Sequence, residues 1–521
     1  MLRETRTENG RVKGVVGTDA RITVYKGIPF ADTTAGENRW RPPQPAKDWE
    51  GVRDCSEFGP IPMQRKPGLD PEKFYSKEWH VDPDVPMGED CLRANIWTPA
   101  KSVDEKLPVM VWIFGGGLQE GYPHEMEFDG ERIASRGVIL VSIGYRVNVF
   151  GLLAHPEITA ENPDAPANFC YQDQAAGIAW VKRNIANFGG DPNNITVFGQ
   201  SAGGGSTLTQ MVSPKTKGLF QKGIIESIGG MSFDYPKRPI PRMILSLKEQ
   251  EQLGVQFFDA LGVHSLAEAR ALDGQVISDK FNEMFFRLGS CIDGHFVTKP
   301  TDQAILDGDI HVDTFMIGNT KDEFMLEPDG DAKTMNMFAF NKASEETVEE
   351  EVDEKTKVNR WIHDVFGEHA DAYQALVEKL PGDYYQNASV SQMWLGNQVF
   401  SEAVAKQGRP FYTYVFGPTI PGDDAGAFHS SDLWFEFETL MRCWRPFDGH
   451  HYDLARKMCN YWTNFAKSGD PNGLDKDGTP MPTWTPYTTE QPYSMRFYDE
   501  IYMDKGLSER DQFLVDINKK S

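Results

Sequence analysis

Val197-Phe198-Gly199-Gln200-Ser201-Ala202-Gly203 constrains this chain more than any other stretch. It reads G-x-S-x-G, follows a β-prone run at 194–198 and leads through small residues into an apolar segment. Strand, sharp turn and helix form the setting in which this pattern becomes a nucleophile elbow. Such a turn leaves no room for a Cβ at Gly199 or Gly203, and the serine must hold an unfavourable backbone conformation. Its hydroxyl then stands above the sheet at a helix N-terminus, with the Ala202 N–H free to donate to an oxyanion. A chain with 48 glycines can produce the pattern by chance, so the surrounding sequence has to supply the context.

That context is a long, acidic chain. Its 521 residues are ample for one α/β enzyme with insertions. The net charge of −24 and the lack of any Lys/Arg-rich run argue against nucleic acid and against anionic membrane surfaces. No apolar run approaches the roughly 18–20 residues needed to span a bilayer. The opening Met1-Leu2-Arg3-Glu4-Thr5-Arg6 lacks the apolar core of a signal peptide, so the chain reads as cytoplasmic. A secreted or periplasmic protein whose signal had been removed would read the same way. The six cysteines are too few and too scattered for a disulfide-dependent scaffold, and none forms a CxxC. No Cys/His cluster has zinc-like spacing, so neither metal nor cofactor is expected.

Alternation at 10–16 and 22–25 predicts two antiparallel edge strands. A stretch at 55–90, rich in Pro, Gly and charge, carries Phe74, Tyr75 and Trp79 and reads as an ordered flap rather than a tail. Runs apolar on both faces follow at 107–114, 138–143 and 195–198, the pattern of parallel strands covered by helices. Between the last two, Ile178, Val181, Ile185 and Phe188 recur at helical spacing, and Gly189-Gly190 stands where a C-cap belongs. Further strands are expected at 223–228, 314–317, 411–416 and 493–498. Residues 235–400 are mostly helical and amphipathic in texture, including a helix start at Ser344 followed by glutamates. This stretch reads as an insertion over the C-terminal edge of the strands, where such folds bind ligands.

A serine hydroxyl is a poor nucleophile until a base takes its proton, so an acid and a histidine should follow it in the chain. Among 11 histidines, His429 lies in a glycine-containing loop shortly after the expected strand at 411–416. His155 and His295 sit in segments that read as structural turns. The acid falls in Lys321-Asp322-Glu323 after the strand at 314–317, and position alone leaves Asp322 and Glu323 both open. Gly115-Gly116-Gly117, directly after the first apolar strand, suits an oxyanion hole, because its backbone N–H groups can face a negative charge unobstructed.

Together these stretches resemble the type-B carboxylesterases, the α/β-hydrolase family that includes carboxylesterases, cholinesterases and fungal lipases. The likeness spans nearly the whole chain, as one domain over 1–521. It is carried by Glu89-Asp90-Cys91-Leu92 with Asn95, by Phe188-Gly189-Gly190-Asp191-Pro192 through Gly204, and by Lys321-Asp322-Glu323. The resemblance implies that Glu323 is the triad acid beside Ser201 and His429. It implies Gly116, Gly117 and Ala202 as oxyanion donors, and structural ion pairs Arg39–Glu89 and Arg146–Asp173. It also implies a Cys55–Cys91 disulfide, which a cytoplasmic setting would keep reduced.

The chain departs from the family at Gln200, where glutamate is usual, at Phe114, where many relatives have histidine, and at Leu118, where an aromatic is usual. Losing the charge at 200 argues against choline esters. The reading is a serine carboxylesterase for small to medium esters, acting as a monomer or homodimer. Its rivals are a lipase for longer acyl chains and a catalytically silent binding or adhesion scaffold.

Overall fold

The apolar runs become strands of one sheet. The computed structural model describes residues 1–65, 74–79, 82, 84–237, 244–284, 288–328 and 353–519. Within it, eleven strands form the main sheet: β1 (Val15–Val16), β2 (Thr23–Pro29), β3 (Arg93–Thr98), β4 (Leu107–Ile113), β5 (Ile139–Ile143), β6 (Gly190–Gln200), β7 (Lys222–Glu226), β8 (Thr314–Thr320), β9 (Phe411–Phe416), β10 (Met495–Phe497) and β11 (Ile501–Met503). Their order is β11-β10-β9-β8-β7-β6-β4-β5-β3-β2-β1. The strands from β5 across to β10 run parallel. Antiparallel strands close both edges. Every residue of β5, β7, β8 and β9 is buried, which is why these runs show no polar alternation.

The expected edge pair is β1 with β2, but the alternating segment before it divides. Gly10–Lys13 leaves the main sheet and joins Glu4–Thr7 and Val52–Asp54 in a separate three-stranded sheet. Helix α1 (Phe169–Asn184) starts nine residues before Ile178, the first residue of the apolar periodicity. It runs into a 3₁₀ turn (Ile185–Phe188) that ends at Gly189, whose φ of +85° is the left-handed cap.

Helices crowd the stretch between β7 and β9: Leu247–Leu261, Leu266–Ala271, Gly274–Glu283 and Thr301–Leu306 before β8, then Glu354–Phe366, Ala370–Val377, Tyr384–Ala388 and Gln392–Ala405 after it. The central strand β8 passes through the middle of this region. The helix start expected at Ser344 lies outside the described residues, as do 66–73, 80, 81 and 83 of the expected flap. Among the described residues, no helix is long and apolar enough to cross a membrane.

Two buried ion pairs tie the sheet to its surroundings. Arg39 Nε donates to Glu89 Oε2 at 2.7 Å, while its Nη1 serves the carbonyls of Ala269, Arg270 and Leu272. Arg146 and Asp173, with side chains 3% and 0% exposed, bond through both carboxylate oxygens at 2.8 and 2.7 Å. Removing one partner strands the other charge in a low-dielectric site. Asp173→Ala is therefore expected to destabilise the protein by about 3 kcal/mol, read as a lower midpoint in urea denaturation. An unchanged midpoint would mean that Arg146 finds water.

Candidate active site

Strand β6 ends at Gln200 and α2 (Ala202–Val212) begins one residue beyond Ser201. Ser201 is bent into the left-hand half of backbone space, with φ 57° and ψ −127°, a conformation that costs energy for an L-residue. Neighbours hold it there: its N–H donates to the Glu226 carbonyl at the end of β7, and its own carbonyl accepts from Gly205, both at 2.9 Å. A Cβ at Gly199 would come within 2.5 Å of the Ile113 carbonyl oxygen, and one at Gly203 within 2.1 Å of the same atom. Both glycines are therefore required by close backbone approach.

The triple-glycine turn after β4 lies directly against the elbow. A Cβ at Gly115 would sit 3.2 Å from the Ser201 Cβ and 2.8 Å from the Gln200 carbonyl oxygen. Gly116 and Gly117 take φ values of +94° and +66°. Their N–H groups donate to no other described residue. The Ala202 N–H, on the first residue of α2, has no intrahelical carbonyl to reach. Phe114 is accommodated by stacking on Tyr145 at 4.0 Å, and the Tyr145 hydroxyl donates to the Phe114 carbonyl at 2.7 Å.

His429 lies in the loop between β9 and the short helix α3 (Leu433–Glu436), and only 2% of it is exposed. Its Nδ1 pairs with Glu323 Oε2. The other oxygen of Glu323 accepts from the Thr320 N–H at 2.9 Å, which fixes the carboxylate's orientation. Phe324 sets its ring edge-on to the imidazole at 4.8 Å. Asp322 turns the other way and clasps the histidine loop. Its carboxylate accepts from the Ala427 N–H at 2.9 Å and its own N–H donates to the Ala427 carbonyl at 3.0 Å. Geometry thus places Glu323, and not Asp322, on the imidazole. The far ring nitrogen, Nε2, lies 3.4 Å from the amide nitrogen of Gln200, the residue adjoining Ser201.

The two competing histidines serve structure. His155 caps the helix Pro156–Glu161 and stacks on Phe258. The His295 N–H donates to the Asp293 carboxylate in a turn.

Sequence reasoning missed the acids packed behind the elbow. Glu226, Asp432 and Glu436 are 0–1% exposed. Trp462 Nε1 donates to Glu226 at 2.7 Å. Burial pushes Glu226 up to about 7, and pushes Asp432 and Glu436 well above the carboxylate range. An acidic residue closing an apolar strand, as at Glu226, was the available signal.

Cys55 and Cys91 are separate buried thiols, so the disulfide implied by resemblance is absent. Burial raises both thiols, Cys55 to about 11. Among the described residues, one set of metal-capable side chains converges: Asp448, His450 and His451 at the start of the helix Gly449–Ser468. There Asp448 and His451 already form the capping box of that helix.

This sheet, elbow and loop order define an α/β-hydrolase. The carboxylesterase family model matches residues 2–514, and the chain belongs to that family. It is 30% identical to human cocaine esterase over 513 residues, covering 94% of this chain and 86% of that protein. It is 29% identical to the fumonisin B1 esterase of Sphingopyxis macrogoltabida, covering 91% and 83%. Among solved structures, the Geobacillus stearothermophilus carboxylesterase EST55 superposes with a TM-score of 0.75 at 28% identity, covering 98% of this chain and 99% of that one. A pNB esterase reaches a TM-score of 0.76 at 24% identity, covering 99% of both chains, a likeness of fold alone. The protein is a serine carboxylesterase acting on small-molecule carboxylic esters through an acyl-enzyme.

Proposed function

We propose that Ser201 is the nucleophile, His429 the general base, Glu323 its orienting acid, and the N–H groups of Gly116, Gly117 and Ala202 the oxyanion hole. One observation carries this reading: His429 is bracketed by Glu323 on Nδ1 and by the residue adjoining Ser201 on Nε2. Ser201 Oγ forms a bond to the ester carbonyl carbon as His429 Nε2 takes its proton. The carbonyl oxygen becomes an oxyanion held by the three N–H groups, a single donor of this kind being worth roughly 3–4 kcal/mol. When the intermediate collapses, the C–O bond to the alcohol breaks and His429 returns the proton to the leaving oxygen. Water then repeats the sequence against the acyl-enzyme and releases the acid.

The proposed substrates are small to medium esters. The buried amide of Gln200 places no charge beside it, which supports neutral over cationic substrates. The relatives named as esterases of cocaine and of fumonisin B1 support a small-molecule ester as substrate. The expectations that 235–400 lies over the strand ends and that the protein is a monomer or homodimer belong to the same proposal.

A fluorophosphonate ester probe tests the assignment. Mass spectrometry is expected to find the label on Ser201 and none in the His429→Ala protein. Label on another serine, or labelling that ignores His429, would overturn it. A marked rate increase on emulsified triglyceride would instead favour the lipase reading.

A further inference from the structure

The short helix Phe74–Glu78 sits against the histidine loop through contacts that the catalytic scheme does not use. The Tyr75 hydroxyl donates to the main-chain carbonyl of His429 at 3.0 Å. Phe74 meets Phe428, the residue before His429, edge-on at 4.9 Å. One turn further on, the Glu78 side chain is 1% exposed and accepts from four directions. Trp434 Nε1 donates at 3.1 Å, Trp444 Nε1 at 3.0 Å, Arg445 Nε at 3.0 Å to both oxygens, and the Cys443 thiol at 3.4 Å. Arg445 in turn reaches Asp423 at 2.8 Å, at the opposite end of the histidine loop, and lies over the Phe428 ring at 4.9 Å.

A buried carboxylate satisfied this fully is an anchor, because shifting the helix would leave the charge and its donors unpaired together. The anchor lies on one side of the loop, and the Tyr75 hydrogen bond falls on the catalytic histidine's own backbone. A general base must be placed to within a fraction of an ångström, and a misplacement of about 1 Å can cost on the order of 10²-fold in rate. We propose that Tyr75, held by the Glu78–Arg445 anchor, is a positioning residue for His429: this helix is part of the active-site frame and has to be in place for turnover. The proposal rests on His429 being the base.

Tyr75→Phe removes one oxygen and keeps the ring packing. It is expected to lower kcat about 10-fold and to slow inactivation by a small fluorophosphonate by the same factor, with KM within about twofold of the parent. The unfolding temperature should move by no more than a few degrees. Trp444→Phe, which deletes one donor to Glu78, is expected to shift the same two rates in the same direction by a smaller factor.

A rise in KM with unchanged inactivation would make Tyr75 a substrate contact and overturn the proposal. So would a lowered unfolding temperature with both rates intact, which is the signature of packing alone. Failure of the underlying triad reading is seen separately, as wild-type labelling that persists in His429→Ala.

Discussion

Replacing Glu323 with glutamine is expected to lower kcat about 10⁴-fold, the effect known for removing the charge of a triad acid, while the fold survives. Glutamine fills the same volume and can still accept from the Thr320 N–H that now holds Glu323. It lacks the negative charge that stabilises the imidazolium, and its amide can present an N–H to Nδ1 and so favour the wrong tautomer. Asp322→Asn, one residue away, is expected to stay within about fivefold of the parent, since asparagine keeps an oxygen to accept from Ala427. Steady-state kinetics on a small ester, with unfolding curves as a check on fold, measure both. A reversed ranking would transfer the acid's role to Asp322 and contradict the observed geometry.

Stability is expected to be highest in mild acid. Burial raises Glu226 and Glu125 to about 7 and lifts Glu127, Asp432 and Glu436 well above their ordinary range. A carboxyl raised in the native state keeps a proton that the unfolded chain has already released. Its contribution is complete below about 4.5, the ordinary value, and is lost as pH climbs through about 7. All five shifts act in the same direction.

On the acid side the sign reverses. The Arg270 hydrogen bonds hold Glu161 down at about 2, and the Arg456 hydrogen bonds do the same for Asp475, so their contribution is present above the ordinary range and fades as pH falls. Stability should therefore peak near pH 5 and fall towards pH 8. Urea midpoints at pH 5 and 8 measure the change. A higher midpoint at pH 8 would mean that these buried acids ionise without cost.

What the sequence determined by itself was everything whose cause is local. The elbow was legible because Gly199, Ser201 and Gly203 answer to steric limits within a few residues, and the added-Cβ distances to Ile113 are those limits measured. The parallel strands were legible because burial on both faces erases polar alternation. Chain order singled out His429, but Asp322 and Glu323 stayed equivalent by position until resemblance chose between them.

Only the tertiary structure turned one carboxylate onto an imidazole 106 residues away and the other onto the loop that carries it. It likewise put Tyr75 on the His429 carbonyl across 354 residues and gathered Glu226, Asp432 and Glu436 behind the elbow. Those contacts depend on how the sheet order and loops bring distant segments together. A side chain's neighbours across such separations leave no periodic or compositional trace in the chain, so they could be read only once it was folded.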